Sequence, residues 1–456
     1  MRHAGPRLQA VTAATAHVRA SSFAMRVLLT GATGLIGGAI LQALLREGHQ
    51  VLCAVRDPAR LPAHGPHCTG MAVDLAAVPG ADWWVPRLRG IDVVVNAVGI
   101  LRESRRQTFE ALHDRAPAEL FRACARTGVR CVVQISALGA DAGAATPYFR
   151  SKRAADEVLR SLPLAGAIVQ LSLVFSPQGP STALFLTLGS APLLLFPLRG
   201  GMPVQPVHLD DVAAGVLVVL AAPPERIETI AFVGPAPLPL RDYLAVLRRQ
   251  VGLGRGPLVL PMPVALFRWG ARIAGHVPGS ALDADTARML LQGNAAPPER
   301  FTELLERAPR GVDTFIAPKQ GATLRAQAVL GWAQPLLRVA LAAMWIWTAI
   351  VSFGLYPVED SYALLARVGL HGALAWVALY GAATLDLLLG LLTLAAPARW
   401  RQWVWLAQLA LIAGYTALVT LFLPEYWLHP YGPISKNLPI MAAIALLWAL
   451  EPRGDR

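Results

Sequence analysis

The sequence predicts an α/β head built on a doubly wound parallel sheet, followed by an all-α bundle of four transmembrane helices. Three observations carry that expectation. A strand-type run breaks into a triple-glycine turn and continues as an amphipathic helix near residue 30, and a second strand further on leads to a helix opened by Tyr148 and Lys152. A marked excess of apolar residues then begins after residue 335.

The first element reads V-L-L-T-G-A-T-G-L-I-G-G from Val27 to Gly38. In Gly31-x-x-Gly34-x-x-Gly37 the first glycine lets the chain turn sharply off the strand, the second lets backbone approach a pyrophosphate, and the third lets the helix pack close to the sheet. The phosphate then sits at a helix N-terminus. Glycines at this spacing also occur in plain tight turns, but here Val27–Thr30 supplies the strand before them and Ile40–Arg46 the amphipathic helix after them. The expected cofactor-binding residues of the turn are Thr30, Gly31, Thr33, Gly34, Leu35, Ile36 and Gly37.

The second strand, H-Q-V-L-C-A-V-R-D-P (49–58), bears on which dinucleotide is bound. An acid at such a strand tip binds a ribose 2′-hydroxyl, whereas an arginine accommodates a 2′-phosphate. Arg56 comes first and Asp57 second, so NADP is expected, the alternative being a solvated Arg56 with Asp57 binding NAD.

Further along, V-V-Q-I-S-A-L reads as a buried strand ending near Ser136, and Tyr148-Phe-Arg-Ser-Lys152 opens a helix. Positions i and i+4 share a helix face. An ammonium one turn from a tyrosine is expected to draw it toward phenolate and make it a proton donor near neutral pH. Tyr-x-x-x-Lys is also a common surface pair. Against that bland reading, the chain has only three lysines, Lys152, Lys319 and Lys436, among 41 basic residues, and one falls here. An ammonium is a compact charge with a shiftable pKa, which a guanidinium is not.

At these residues the stretch from Met25 to about Leu330 resembles an atypical or extended short-chain dehydrogenase/reductase, close to the group containing the 39-kilodalton accessory subunit of respiratory complex I. V-N-A-V-G-I-L-R-E (95–103), I-S-A-L-G-A-D (135–141) and P-V-H-L-D-D-V-A (206–213) add to the likeness. The resemblance implies a Rossmann fold binding NAD(P), with Ser136, Tyr148 and Lys152 as the catalytic set and Lys152 also holding cofactor. It further implies that Asp74, closing M-A-V-D, contacts adenine and that Asn96, Ala97, Val98 and Gly99 line the cofactor from the fourth strand. Two departures stand out. Gln170-Leu171 and Ser176 occupy positions where many members carry Arg-Pro and a glycine. A helix asparagine that completes the catalytic tetrad in many members has no clear counterpart, and His113 nearby is expected only as a helix residue.

Composition describes the other half. Mean hydropathy is +0.46, with 55% hydrophobic and 15% charged residues, unlike an ordinary soluble enzyme. Val339–Val358, His371–Ala396 and Trp403–Leu423 are apolar runs of 20, 26 and 21 residues, with Asp386 their one acid or Lys/Arg. About twenty helical residues cross a bilayer. Leu438–Leu450, with 13 residues, is the fourth and shortest span and needs residues 432–437 to complete its crossing. Lys319, Arg325 and Arg338 precede the first span, and Arg399 and Arg401 lie between the second and third. The intervening loop 359–370 offers only Arg367, and the tail Arg453 and Arg456. The positive-inside rule then places both termini, and the head, on the cytoplasmic side of an inner membrane. Tryptophans 332, 345, 347, 400, 403, 405, 427 and 448 include several at the expected interfaces.

This region resembles the DoxX-like family of four-helix membrane proteins through W-I-W-T-A-I-V-S-F-G-L-Y-P (345–357), L-D-L-L-L-G (385–390) and P-E-Y-W-L-H-P-Y-G-P-I-S-K-N-L-P (424–439). Asp386 is an intramembrane carboxylate, functional by default, with Gln408 as its expected partner; helix-packing glue is the plainer role. Inside the head, Ser181–Leu198 is an uncharged run that Gly189, Pro192 and Pro197 should break. Together with L-V-L-P-M-P-V-A-L-F-R-W-G (258–270) it points to a greasy substrate, a face resting on a membrane, or ordinary core.

Four cysteines show no metal spacing, and no metal site is expected. The net charge of +12 fits anionic lipid rather than nucleic acid. Residues 1–24 carry three arginines and no long apolar core, so they read as the product of an upstream start codon, with a transit peptide second. The expected divisions are a leader to residue 24, the dinucleotide head 25–318, a connector 319–334 and the membrane domain 335–450. The expected function is that of a membrane-anchored NAD(P)-dependent oxidoreductase acting on a hydrophobic carbonyl or alcohol, with a hydrophobic small molecule or quinone-like substrate and the lipid bilayer as expected partners. The alternative is a non-catalytic nucleotide-binding subunit of a membrane complex.

Overall fold

The computed structural model describes residues 24–61, 65–197, 201–254, 256–276 and 282–451. Most of the leader and the tail arginines 453 and 456 lie outside them. Two compact units divide at residue 328.

The first unit opens with β1 (Arg26–Thr30), α1 (Leu35–Arg46), β2 (Gln50–Val55), β3 (Cys68–Ala72) and the short α2 (Ala81–Trp84). It continues through β4 (Val93–Asn96), α3 (Ala116–Ala125), β5 (Cys131–Ala137), α4 (Pro147–Ser161) and β6 (Gly166–Leu171). Next come β7 (Val174–Phe175), α5 (Pro180–Ser190), β8 (Leu193–Pro197), β9 (Pro203–Val204), β10 (Val207–His208), α6 (Leu209–Ala221) and β11 (Ile227–Phe232). The unit is completed by β12 (Leu238–Pro239), α7 (Leu240–Gln250), β13 (Leu258–Met262), α8 (Val264–Ala274), α9 (Ala284–Gln292) and α10 (Glu299–Leu305). Seven strands form one parallel sheet in the order β11-β6-β5-β4-β1-β2-β3.

Central strands of a parallel sheet are covered on both faces, and β4 and β5 are accordingly buried at every residue. Successive side chains of β1 enter opposite layers. Val27 and Leu29 pack with Ile40, Leu44, Val216 and Phe301 beneath α1, α6 and α10. Leu28 packs with Trp84, Phe121 and Leu159 beneath α2, α3 and α4. A third cluster, from Phe175, Phe185, Tyr243, Leu247 and Phe315, builds a smaller lobe. Here the uncharged run 181–198 is broken as its prolines require, into helix α5 and strand β8.

The helix α11 (Pro318–Ile350) begins in the first unit and runs on into the second, which further contains α12 (Val358–Arg367), α13 (Gly372–Ala395), α14 (Ala398–Phe422) and α15 (Asn437–Leu450). Residues 319–334, expected as a connector, are helical within α11, because Ala, Leu, Arg and Gln there are good helix formers. The first apolar run ends through one π turn at Leu355 rather than at Val358, since Pro357 cannot continue the helix. Among the described residues three helices are long and apolar enough to cross a membrane; α15, with 14 residues, is shorter. Ion pairs at the two ends give these helices an up-down-up-down order. Glu451, after α15, pairs with Arg338 of α11 and Arg401 of α14, while Arg367 of α12 meets Glu425 beyond α14. Gln408 does not reach Asp386 as expected. It accepts from Trp345 Nε1 at 2.9 Å and donates to Thr393 Oγ1 at 2.8 Å, bracing three helices. Asp386 is 4% exposed, and its Oδ1 has no partner among the described residues.

Candidate nucleotide and catalytic site

The strand order reverses between β1 and β4, and in open parallel sheets ligands lie outside the carboxyl ends of the strands at such a point. Gly31 there has φ +71°, and a Cβ on it would sit 2.5 Å from the Ala97 carbonyl oxygen. A Cβ on Gly37 would lie 2.1 Å from the Gly31 oxygen, so only glycine lets α1 start this close to the turn. Gly34 is the N-cap of α1 and offers no side-chain cap, leaving the first amides of the helix for an anion.

A cavity of about 220 Å³ opens at this turn. Gly31, Thr33 and Gly34 line one side, Arg56 and Asp74 another, and Ala97, Val98 and Gly99 a third. Eight of the expected cofactor residues therefore meet, and the bare glycine backbone, open helix amides and flanking arginine fit a dinucleotide. Arg56 lines the cavity, whereas Asp57 caps the next turn by accepting from Ala59 N at 3.0 Å and pairs with Arg60 at 3.5 Å. Asp74 accepts from Ala76 N at 3.1 Å, which holds its carboxylate at the rim.

Other expected contacts take structural places. Thr30 and Asn96 are buried away from the cavity, with Thr30 Oγ1 donating to Asn96 Oδ1 at 2.5 Å and Asn96 Nδ2 to Gln134 Oε1 at 2.6 Å. They brace β1, β4 and β5 across the switch point. Ile36 packs into the core and Gly37 against the turn. Leu35 borders an adjoining crevice along α1 and α6, of about 650 Å³, that shares Thr33 and Gly34 with this cavity; neither is lined by Ser136, Tyr148 or Lys152.

Ser136 at the end of β5 bonds Asp156, a residue that sequence reading missed, on the same helix α4 that carries Tyr148 and Lys152. Ser136 Oγ donates to Asp156 Oδ2 at 2.5 Å. Lys152 is buried and gives two of its protons to the Val98 and Ile135 carbonyls, each at 3.1 Å. Val98 and Gly99 thus join α4 to the cavity. Burial pushes the Lys152 ammonium down to about 8 while the Asp156 charge supports it. Burial pushes Asp156 up to about 6, against the Ser136 hydrogen bond and Lys152. Tyr148 is also pushed up, to about 12, by burial and by Asp156. That is opposite to the expected pull of Lys152 toward phenolate: desolvation and the Asp156 charge both act against the phenolate, and the Lys152 ammonium is engaged with backbone carbonyls. Spacing alone could have revealed Asp156, since Tyr148, Lys152 and Asp156 fall at i, i+4 and i+8 on one helix face.

His113, expected only as a helix residue, is fully buried in a π turn before α3. Its ring lies 5.4 Å from that of Tyr148 in an edge contact. Nε2 accepts from Ile100 N at 2.9 Å, and Nδ1 lies 3.1 Å from Ser151 Oγ, whose hydroxyl donates to the Tyr148 carbonyl. These partners require the neutral Nδ1–H tautomer, and burial together with the Lys152 charge pushes the imidazole down to about 2. His113 is a fixed, uncharged strut between the cavity loop and α4. The loop after β6, where the family pattern is altered, is held by its own bonds: Gln170 Nε2 to Ala140 O at 3.4 Å and Ser172 Oγ to Gln205 O at 2.6 Å. No cluster of metal-ligand side chains occurs among the described residues.

Comparison with known proteins adds the following. Residues 31–223 match the NAD(P)H-binding family model and residues 342–445 the DoxX-like family. Ceramide reductase of Caulobacter vibrioides is 26% identical over 205 residues, which cover 43% of this chain and 61% of that protein. Mitochondrial NADH dehydrogenase (ubiquinone) 1 alpha subcomplex subunit 9 of Arabidopsis thaliana is 29% identical over 198 residues, covering 42% of this chain and 48% of that one. The chain thus spans only about half to three fifths of these relatives' own lengths. The NADPH-dependent quinone oxidoreductase QOR2 of Escherichia coli, solved with NADPH, superposes with TM-score 0.50 at 15% identity, covering 66% of this chain and 99% of that one, and shares the fold.

Proposed function

From a chain that joins an NAD(P)H-binding domain to a DoxX-like membrane domain, we propose a membrane-anchored, NADP-dependent oxidoreductase that reduces a hydrophobic carbonyl or oxidises the matching alcohol. The observation that carries this reading is that Lys152, one turn from Tyr148 on α4, is fastened to the carbonyl of Val98 at the cavity edge, while Ser136 at the end of β5 bonds Asp156 of the same helix. Arg56 on the cavity wall, with Asp57 turned away to cap a helix, supports NADP over NAD. The relative named ceramide reductase supports a lipid carbonyl as the substrate class. The basic residues 319, 325, 338, 399 and 401 support a head on the cytoplasmic face of an inner membrane.

When bound, the nicotinamide supplies hydride. Tyr148 stays protonated through burial, and its hydroxyl has no hydrogen-bond partner among the described residues, so it is free to protonate the substrate oxygen. Lys152 retains one N–H after its two backbone bonds, available to a ribose hydroxyl. Ser136 orients the substrate oxygen when Asp156 leaves its proton free. Replacing Tyr148 by Phe is expected to lower NADPH-dependent reduction of a long-chain aldehyde by about 10²–10⁴-fold while NADPH binding persists. Unchanged turnover would refute the assignment.

A second reading, a nucleotide-binding subunit without turnover, is favoured by the Ser136 proton lying on Asp156. The Arabidopsis relative is named as a subunit of a larger assembly, which suits the same reading. Under it NADPH stays bound and unoxidised with every carbonyl offered.

A further inference from the structure

The head carries an apolar surface that none of its own clusters covers. β8 and β13 pair in parallel, Leu258 beside Leu193 and Leu260 beside Leu195, so these four leucines share one face of a two-stranded ribbon. They are 66%, 46%, 41% and 53% exposed respectively. The chain passes directly from β13 into α8, where Leu266, Trp269 and Ile273 are 49%, 59% and 49% exposed. At 3.6 residues per turn these three fall on one stripe of the helix, while Val264, Phe267 and Ala271 turn to the opposite, more buried side. Arg268 and Arg272 stand exposed along one flank of the stripe, and no acid occurs between residues 256 and 276.

We infer that the β8–β13 ribbon and α8 form a membrane-contacting face by which the head lies on the surface of an anionic bilayer. An in-plane helix with an apolar stripe, an aromatic residue at the headgroup level and basic residues on its polar side is the pattern of an interfacial helix. Arginines without opposing acids match the negative surface potential of anionic lipid. The same chain carries helices able to cross a membrane, which keeps a bilayer at high effective concentration near the head. This inference does not depend on the chemistry of the nucleotide site, so either can fail without the other.

The test uses the full chain in proteoliposomes containing phosphatidylglycerol. The four native cysteines are buried, so a single Trp269→Cys or Leu266→Cys substitution can carry an environment-sensitive fluorophore, with Asp82→Cys, 91% exposed at its side chain, as the aqueous control. Emission from positions 266 and 269 is expected to shift to the blue, to be lost with headgroup-proximal nitroxide lipid and to resist iodide, while position 82 behaves oppositely. Iodide quenching at 269 equal to that at 82 would overturn the proposal. So would protection from both quenchers, which would mean that a protein surface covers the face.

Discussion

At the scale of single residues, the site turns on a proton shared between Ser136 and Asp156. An ionised Asp156 takes the Ser136 proton, whereas a neutral carboxyl can donate to Ser136 and leave its hydroxyl free for a substrate oxygen. Because burial pushes Asp156 up to about 6, carbonyl reduction should slow as pH rises through about 6. Asp156→Asn, whose amide does not titrate, should remove that limb from the pH–rate profile. An unaltered profile in the variant would detach Asp156 from the chemistry. Stability follows the same proton. The folded state holds it more tightly than the unfolded chain, so Asp156 favours the fold below its ordinary value of 3.8, and that contribution is lost as pH rises toward about 6. Lys152 has the opposite sense: with its proton held less tightly when folded, its contribution grows as pH rises from about 8 to its ordinary 10.5.

At the scale of elements, the βα turn depends on the close approach of α1. Adding a methyl at Gly37 would place Cβ 2.1 Å from the Gly31 oxygen. Gly37→Ala should therefore cost about 1–3 kcal/mol of overpacking and weaken nucleotide binding, read by denaturant unfolding and ligand titration; an unaffected variant would mean that α1 can shift without consequence. This turn was legible in the sequence because glycine spacing is a direct record of backbone contact. Tyr148 and Lys152 were legible for a similar reason, as helix spacing places them on one face. What spacing could not give was solvation. The opposing shift of Tyr148 and the neutrality of His113 arise from burial, which depends on what α3, α4 and the loop after β4 bring together. Thr30 and Asn96 were read as cofactor contacts from the glycine-rich turn and the family resemblance; in the structure they bond each other and Gln134 across the sheet. Asp386 and Gln408 were paired by depth in adjacent spans, yet helix rotation directs Gln408 to Trp345 and Thr393.

At the scale of the whole molecule, the two units combine a nucleotide-binding sheet with a helical bundle whose ends are fixed by charge. Glu451 holding Arg338 and Arg401 brings the start of the first apolar helix and the end of the last to the same end of the bundle. This arrangement explains how a helix of 14 residues belongs to the bundle although its length alone would leave it short of a bilayer crossing. Binding of NADP in the cavity that Arg56 borders is open to direct measurement by fluorescence titration of the full chain in detergent. Wild-type protein should bind NADPH more tightly than NADH, and Arg56→Ala should lose that preference while still binding NADH. Equal affinity for both nucleotides in wild type, or binding of neither, would contradict it.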